Sequence, residues 1–289
     1  MLRTLEDLRT SPAEAQSACV QSAMTLSDLW DKYKAQQSGS SQLLVEFTGE
    51  HTRAPGIHAS EISGCQRKLT YGALGVERRV RAEDKDVLAQ RVFNMGTIVH
   101  AYVQDEFHKM CEWLNQGGRQ LTFEDEAPVH PGLGGVCQAY NIHSSCDGVF
   151  TFWYPVGQNV YEPYMRVGLE IKTASDKQFE GITKPKEEHT EQTCIYMKAL
   201  DVPLMWTLYF NKSNQRTTRS TPPFLFKFNN AQWELLERRI ITVLGYVKNQ
   251  QLPARQEGYH CGWCPFAHTC QPSYLRPKAN SSPPTGREF

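Results

Sequence analysis

The segment GLEIKTAS, residues 168–175, constrains the fold more than any other part of the chain. Side chains of a strand alternate between the two faces of a sheet. Val167, Leu169 and Ile171 therefore project to one face, whereas Glu170 and Lys172 project to the other. We predict a layered domain in which a strand packs its apolar face against a core and carries two opposite charges side by side on the other face.

Composition and length set the class of protein. The chain has 289 residues, of which 40% are hydrophobic and 21% are charged, values typical of one or two globular domains. The sequence contains neither a run of about 18 apolar residues nor a signal peptide at its N-terminus. We therefore expect an intracellular, cytoplasmic protein, with a virus-infected host cell as one setting, and no membrane partner.

The overall charge does not by itself indicate a nucleic-acid partner. Basic and acidic residues number 31 each, so the formal net charge is zero. However, the stretch from Val202 to Trp233 contains no Asp or Glu and several Lys and Arg residues, which leaves room for a local positive patch. Trp206, Tyr209 and Phe210 in this stretch could stack on bases, or they could simply pack in the core of a strand.

The pattern of apolar residues predicts helices alternating with strands. We expect helices at about 60–74, 88–115, 187–200 and 230–249 and strands at about 135–153, 165–173, 203–210 and 223–228. The helix at 230–249 has the clearest pattern, with Asn229 and Asn230 as candidate caps.

The predicted elements suggest a division of the chain into three parts. Residues 1–45 are interpreted as a loosely attached helical arm, helical from Leu26 to Gln36, that ends in a flexible joint. Residues 46–275 are interpreted as one folded domain and residues 276–289 as a flexible tail.

Two carboxylates are predicted to meet on neighbouring strands. Asp147 opens the strand within SSCDGVFTFWYP, and a connection of about a dozen residues leads to the strand that carries Glu170. If the strands pair as an antiparallel hairpin, the two acids lie close together and repel unless a hard cation such as Mg²⁺ or Mn²⁺ lies between them. Lys172 could then stabilise a nucleophilic water or the charge that builds on a phosphate. The alternative is an ordinary solvated pair of Glu170 and Lys172.

Three further residues have side chains suited to the same site. Gln192 and Tyr196 lie four residues apart on one helix face, where an amide and a phenol could hold a phosphodiester. His100 lies at the border of an apolar helical stripe and could bind the metal. The alternatives are a partly buried tyrosine beside an amide and a histidine that serves only packing. The stripe itself consists of Val92, Gly96, Val99, Val103 and Phe107, and Gly96 would allow a neighbouring backbone to approach.

The cysteines near the C-terminus indicate a second metal site. The chain has nine cysteines, and Cys261, Cys264 and Cys270 fall within ten residues in HCGWCPFAHTC. Four thiolates suffice for a structural zinc or for an iron–sulfur cluster. The fourth ligand is Cys65 or one of the local histidines, His260 and His268, which would favour zinc.

The ordered set of His100, Asp147, Glu170-x-Lys172 and Gln192-xxx-Tyr196 resembles the RecB-like branch of the PD-(D/E)XK nuclease superfamily. The resemblance spans about residues 60–275. One cysteine upstream and three downstream resemble the iron–sulfur members of that branch, such as the CRISPR-associated adaptation exonucleases. The fold implied is an α/β restriction-endonuclease-like core, a mixed sheet flanked by helices, in which a cysteine-ligated cluster joins the N- and C-terminal parts.

The resemblance also implies residue roles. His100, Asp147, Glu170 and the carbonyl of Ile171 would bind Mg²⁺ or Mn²⁺, Lys172 would assist the nucleophilic water, and Gln192 and Tyr196 would position the scissile strand. Cys65, Cys261, Cys264 and Cys270 would hold a [4Fe–4S] cluster, with zinc as the alternative. One departure is Ser144, because relatives often have glycine three residues before the motif aspartate.

The implied activity is hydrolysis of phosphodiester bonds in DNA, by an exonuclease that acts on single-stranded ends or tailed duplexes. The main rival is a non-catalytic nucleic-acid-binding module with a structural zinc or iron–sulfur site. A zinc deaminase is disfavoured because His260 stands where its cysteine motif needs proline. The sequence leaves open the cleavage polarity, a homo-oligomeric or larger assembly, and the pathway, whether repair, recombination, viral genome processing or CRISPR adaptation.

Overall fold

A five-stranded mixed sheet forms the centre of the computed structural model, which describes residues 26–37, 53–79, 87–118 and 120–270. The strands are β1 (Leu121–Val129), β2 (Ser144–Gly157), β3 (Val160–Ala174), β4 (Leu204–Asn211) and β5 (Leu225–Lys227). They lie side by side in chain order. Only β3 and β4 are parallel, and the other neighbours are antiparallel.

Helices flank this sheet, which confirms the predicted mixed α/β class. They are α1 (Leu26–Gln36), α2 (Gln66–Ala73), α3 (Val87–Leu114), α4 (Gly135–Tyr140), α5 (Asp176–Glu180), α6 (Glu187–Leu200), α7 (Asn230–Lys248) and α8 (Ala267–Cys270). Single 3-10 turns lie at Ala59–Glu61, Asn115–Gly117, Pro131–Leu133 and Tyr259–Trp263. The parallel pair β3 and β4 requires a crossover, and α5 and α6 provide it.

Each face of the sheet has its own apolar core. On one face, Val167, Leu169 and Ile171 pack with Phe107 of α3 and Trp30 of α1. On the other face, side chains of α2, α6 and α7 form a second core against the sheet. The prediction that Val167, Leu169 and Ile171 share an apolar face is therefore confirmed.

The helix α1 forms where it was predicted, but it is not loosely attached. Leu26, Trp30 and Tyr33 are buried, and the ring of Trp30 lies 4.7 Å from that of Phe107. The Ser27 hydroxyl lies 2.9 Å from that of Ser220, which is 193 residues further along the chain. The apolar side of α1 thus belongs to the main core. The predicted joint after Gln37 and the tail at 276–289 lie outside the described residues.

The start of the central hairpin was predicted too early in the chain. Residues 135–140, predicted as strand, form the helix α4, and β2 begins only at Ser144. The predicted connection of a dozen residues is instead strand, because β2 and β3 continue to a short turn between Gly157 and Val160. The antiparallel pairing itself is confirmed.

Two further expectations, about Val92 and Gly96, are corrected, and the alternative about three aromatic residues is decided. Val92, predicted as part of the buried stripe of α3, is 56% exposed, because the described core residues of this helix begin at Val99. A Cβ added at Gly96 would meet nothing within 4 Å, so no backbone of the described residues outside its own helix approaches it closely. Trp206, Tyr209 and Phe210 are buried in the sheet, so they are core residues rather than exposed stacking surfaces.

Among the described helices, none combines the length and the hydrophobicity needed to cross a bilayer.

Candidate active site

The register of the hairpin brings the two predicted carboxylates together. Gly148 of β2 pairs with Leu169 of β3, so the same register sets Asp147 opposite Glu170. The Ile171 N–H donates to Asp147 Oδ2 over 2.6 Å. This backbone hydrogen bond fixes the Asp147 carboxylate at the β3 strand, within the electrostatic reach of Glu170.

Glu170 is almost completely buried, and only one of its two carboxylate oxygens has hydrogen-bond partners among the described residues. Its Oε1 lies 2.5 Å from Lys172 Nζ and accepts a hydrogen bond from Gln192 Nε2 over 2.8 Å. Its Oε2 is buried and has no hydrogen-bond partner within the described part of the chain. A buried carboxylate oxygen without a partner is costly, so this atom is a natural ligand position for a cation.

His100 approaches the carboxylates from α3. Its Nδ1 lies 3.3 Å from Asp147 Oδ1, and its side chain is partly exposed. One turn further along α3, Gln104 Nε2 donates to the Asp147 carbonyl over 2.9 Å and to Glu126 Oε1 over 3.0 Å. The helix thus holds Asp147 at two points. Sequence reasoning missed Gln104, although its spacing of four residues from His100 was a usable signal.

Gln192 joins the charged residues, whereas Tyr196 lies beneath them. Gln192 Oε1 accepts from Lys172 Nζ over 3.1 Å, and its Nε2 also contacts the Tyr196 hydroxyl at 2.8 Å. Tyr196 is only 2% exposed. The predicted contact of Tyr196 with a substrate strand therefore needs correction, because its buried hydroxyl orients Gln192 instead.

Burial and the neighbouring charges shift the pKa values in this site. Burial, reinforced by the charge of Asp147, raises the pKa of Glu170 to about 7. Burial opposes the charged forms of His100 and Lys172 as well, but Asp147 and Glu170 together outweigh it at both groups, so both pKa values are raised. The site thus concentrates negative charge that attracts cations.

The donor atoms suit a hard divalent cation, although they are not in coordinating positions. Carboxylates are the oxygen ligands that Mg²⁺ and Mn²⁺ prefer, whereas an imidazole suits a transition-metal ion better than Mg²⁺. Glu170 Oε2 has no other partner among the described residues. Among the described residues, however, no three His, Cys, Asp or Glu side chains lie close enough together to hold a metal ion as they stand. Lys172 neutralises Glu170 in this arrangement, at the distance of a tight ion pair.

A cleft of about 290 Å³ opens beside the charged strand. His100, Ile171 and Lys172 border it, as do Lys186, His189 and Tyr209. The metal-ligand role of the Ile171 carbonyl stays a prediction. Sequence reasoning did not assign His189 to this site, although it lies about one helical turn before Gln192.

The four predicted cysteine ligands line one larger cavity. Cys65 precedes α2, the other three lie between Cys261 and Cys270, and all four border a space of about 610 Å³. All four are free thiols. Burial raises the pKa of the Cys264 thiol, and the nearby Cys261 and Cys270 add to the shift. His260 also borders the cavity, whereas His268 does not.

Packing joins the same two ends of the domain. The ring of Phe266, between Cys264 and Cys270, is buried 5.4 Å from Tyr71 and 5.1 Å from the Arg78 guanidinium. The Arg79 N–H donates to the Pro265 carbonyl over 3.0 Å. The N- and C-terminal parts therefore meet at this cavity through side-chain and backbone contacts, while the cluster itself stays a prediction.

The departure at Ser144 has a local explanation. The Ser144 hydroxyl accepts a hydrogen bond from the Ala59 N–H over 2.9 Å. A glycine would leave this backbone donor without that partner. Ser144 therefore ties the start of β2 to the segment that leads into α2.

Comparison with known proteins gives only distant structural similarities. No protein-family model and no curated protein matches the sequence. A crystal structure of SSO0001 is 15% identical and covers 88% of this chain and 97% of its own, with a TM-score of 0.39. Two structures of the alkaline exonuclease LHK-Exo also match, each covering 68% of this chain and 89% of its own. The complex with dAMP is 11% identical with a TM-score of 0.42, and the other, described as from Laribacter hongkongensis, is 12% identical with a TM-score of 0.37. Because every TM-score is below 0.5, the functional proposal rests on the site.

Proposed function

We propose that the chain is a metal-dependent nuclease that hydrolyses phosphodiester bonds in DNA. One observation carries the proposal: Asp147, Glu170 and Lys172 converge beside an open cleft, and Glu170 Oε2 is buried without a partner. In an ordinary solvated pair the glutamate would be exposed to water, whereas the Glu170 side chain is only 3% exposed. The buried charge is instead typical of a site where a ligand completes the electrostatics.

Each residue has a defined task in this proposal. His100, Asp147 and Glu170, with the carbonyl of Ile171, would hold Mg²⁺ or Mn²⁺. Such an ion, when bound, lowers the pKa of a water and offsets charge on the phosphate. Lys172 provides an ammonium that stabilises the negative charge developing on the substrate. Gln192 orients both Lys172 and Glu170, because it accepts from the first and donates to the second.

The substrate proposal is single-stranded ends or tailed duplexes, cut by an exonuclease. The cleft beside Lys172 is lined by Lys186 and two histidines and by no carboxylate among its described residues, which suits an anionic strand. The family resemblance supplies the preference for DNA ends.

A second proposal concerns the cysteine cavity. We propose that Cys65, Cys261, Cys264 and Cys270 hold a [4Fe–4S] cluster, with zinc as the alternative. The shared cavity and the absence of disulfides among these thiols support it. Metal analysis of protein purified without oxygen tests it: we expect four irons and matching sulfide, whereas zinc without iron would overturn the cluster.

Cleavage of labelled DNA tests the main proposal. Single-stranded, tailed and blunt substrates are incubated with Mg²⁺, Mn²⁺ or EDTA, and products are separated by length. We expect metal-dependent cleavage that is lost in Glu170→Ala and in Lys172→Ala, while Glu170→Ala keeps binding DNA. An exonuclease releases short products from ends and spares circular DNA. Wild-type protein that binds DNA but yields no product with either metal would instead indicate the non-catalytic binding module.

A further inference from the structure

A histidine outside the predicted motif set faces the same cleft. His189 lies in the first turn of α6, and its Nδ1 is 2.7 Å from the Tyr209 hydroxyl. The backbone N–H of Lys186 also reaches that hydroxyl, over 3.0 Å. Tyr209 itself is buried and belongs to β4, so a strand of the core fixes the position of the histidine ring.

These two hydrogen bonds favour the tautomer of His189 that carries its proton on Nε2. The Lys186 N–H can only donate, so the Tyr209 oxygen accepts from it. Within the described structure, the only acceptor in reach of the Tyr209 hydroxyl proton is His189 Nδ1. Nδ1 is therefore the acceptor, and the neutral ring carries its proton on Nε2.

The Nε2–H group has no partner of its own in the described residues. The carboxylate of Glu188 lies 3.7 Å from Nε2, which is beyond hydrogen-bond length, and it is largely exposed. A directional donor held in a cleft thus stands ready to bind an acceptor from solution.

The charges around the histidine favour an anion as that acceptor. Lys172 and Lys186 border the same cleft. Burial, with the charges of these two lysines, lowers the pKa of His189 to about 3. The ring therefore stays neutral at physiological pH and acts as a hydrogen-bond donor, while the two ammonium groups supply the positive charge.

We propose that His189 Nε2–H, with Lys172 and Lys186, forms a binding site for a phosphate group of the nucleic-acid strand. This inference rests on the proposed nuclease function and deepens it. The lysines attract the phosphate, and His189 fixes one of its oxygens in direction. Tyr209 is a positioning residue, because it acts only by fixing the tautomer of His189.

Binding of a labelled single-stranded oligonucleotide in EDTA tests the site without cleavage. His189→Phe keeps a ring but removes the donor, and we expect about tenfold weaker binding, as for the loss of a charge-assisted hydrogen bond. His189→Gln can present an amide N–H at similar reach, so it should recover most of the affinity. Glu188→Gln is the matched control on the neighbouring residue: it removes a repelling charge, and we expect equal or tighter binding.

Nitrogen NMR of the His189 ring tests the same point in the wild-type protein. We expect the Nε2–H tautomer, its loss of population in Tyr209→Phe, and a shift of Nε2 when the oligonucleotide is added. An Nδ1–H tautomer in the free protein would overturn the proposal even if His189→Phe failed to fold. A shift of Nε2 with inorganic phosphate but none with the oligonucleotide would overturn the assignment to a nucleic-acid strand.

The outcomes separate this inference from the proposed function. If the wild type cleaves DNA and His189→Phe has unchanged binding, KM and kcat, the phosphate site is wrong and the nuclease stands. The site is also wrong if His189→Phe and His189→Gln weaken binding equally. If the wild type binds through His189 but cuts nothing with Mg²⁺ or Mn²⁺, the nuclease is wrong and the phosphate site stands.

Discussion

Glu170 is a single residue of the candidate site whose buried charge is incompletely compensated by its neighbours. Its carboxyl group is buried near Asp147, and Lys172 and Gln192 satisfy only one of its oxygens. Removing a charged group from water is expensive unless its partners are complete. A fold optimised only for stability would place an apolar residue here, so the remaining deficit points to a ligand.

The first prediction concerns metal binding by Glu170. Its folded-state pKa of about 7 exceeds the usual 4.5, so the folded protein binds the extra proton. Stability from this group is complete below about pH 4.5 and is lost as the pH rises through about 7. We expect Mn²⁺ at about pH 8 to raise the melting temperature of the wild type, because it replaces that proton.

Glu170→Gln is the informative variant in this measurement. The neutral amide removes the pH-dependent loss, so the metal-free variant should melt no lower than the wild type at high pH. It should also respond less to Mn²⁺ in differential scanning fluorimetry. An equal response of the two proteins would mean that the ion binds elsewhere.

A second prediction concerns Glu61, a buried carboxylate with complete partners. Arg78 donates to both of its oxygens, over 3.0 and 2.9 Å, and Lys68 and Arg53 lie 3.2 and 3.3 Å away. Although burial opposes ionisation, these cations lower the pKa of Glu61 to about 2. Its contribution to stability is therefore present above about pH 4.5 and is lost as the pH falls toward 2.

Glu61→Gln should reduce the free energy of unfolding at neutral pH by about 2 kcal/mol, because the hydrogen bonds to charged groups weaken. Urea unfolding at neutral and acid pH measures this, and the difference from wild type should shrink in acid. Glu77→Gln removes a similar pair with Arg79 that is exposed on both sides, so it serves as the control without measurable change. Equal effects of the two variants would contradict the prediction.

At the scale of the elements, the sequence predicted those whose side chains repeat regularly. The helix α7 begins at its cap Asn229, which accepts from the Ala231 and Gln232 amides, and its buried residues follow the predicted spacing. By contrast, β1 was missed because it is an edge strand whose centre, EDE at 124–126, is exposed and because Pro128 breaks the strand pattern. The helix α4, six residues long, is too short to show a helical period.

The candidate site shows the same division between pattern and packing. The strand period correctly placed Glu170 and Lys172 on one face, and the hairpin set Asp147 opposite Glu170. The depth of Tyr196 was not predictable, because it depends on how α6 packs over the sheet. The two hydrogen bonds to Tyr209 were hidden for the same reason, since they join residues that only the crossover brings together.

A third prediction tests whether α1 is part of the core. Trp30 is buried against Phe107, so Trp30→Ala should lower the free energy of unfolding by about 3 kcal/mol. Lys32→Ala on the exposed side of the same helix is the control and should have little effect. Urea unfolding followed by circular dichroism measures both. Equal stability of the two variants would restore the interpretation of a loosely attached arm.

A fourth prediction concerns the backbone beside Asp147. A Cβ at Gly148 would overlap the ring of Phe123 on β1, which is buried and packs against the rings of Phe107 and Phe150. Gly148→Ala should therefore shift β1 against β2, reduce stability and displace Asp147, with loss of cleavage. Gly157→Ala, at the open end of the same hairpin, meets only ordinary contacts and is the control. Wild-type cleavage by Gly148→Ala would show that the strands adjust without moving Asp147.

At the scale of the whole molecule, the two ends of the domain meet around the cysteine cavity. Contacts of Phe266 with Tyr71 and Arg78 join them, and Arg67 adds a hydrogen bond to the Pro253 carbonyl over 2.7 Å. Arg239 of α7 donates to the Gly64 carbonyl, just before Cys65. A cofactor at this place would thus reinforce a closure that packing already makes.

The fifth prediction separates packing from the cofactor. Phe266→Ala should destabilise the protein by about 3 kcal/mol whether or not metal is bound, because it leaves a cavity between Tyr71 and Arg78. Cys65→Ser and Cys264→Ser should lower the melting temperature only of metal-loaded protein, since they remove ligands but little apolar contact. Cys137→Ala, at a buried cysteine outside the cavity, should keep the full metal content. If the two serine variants melt like the wild type in protein with a measured iron or zinc content, the bound metal does not join the two ends, and the closure is due to packing alone.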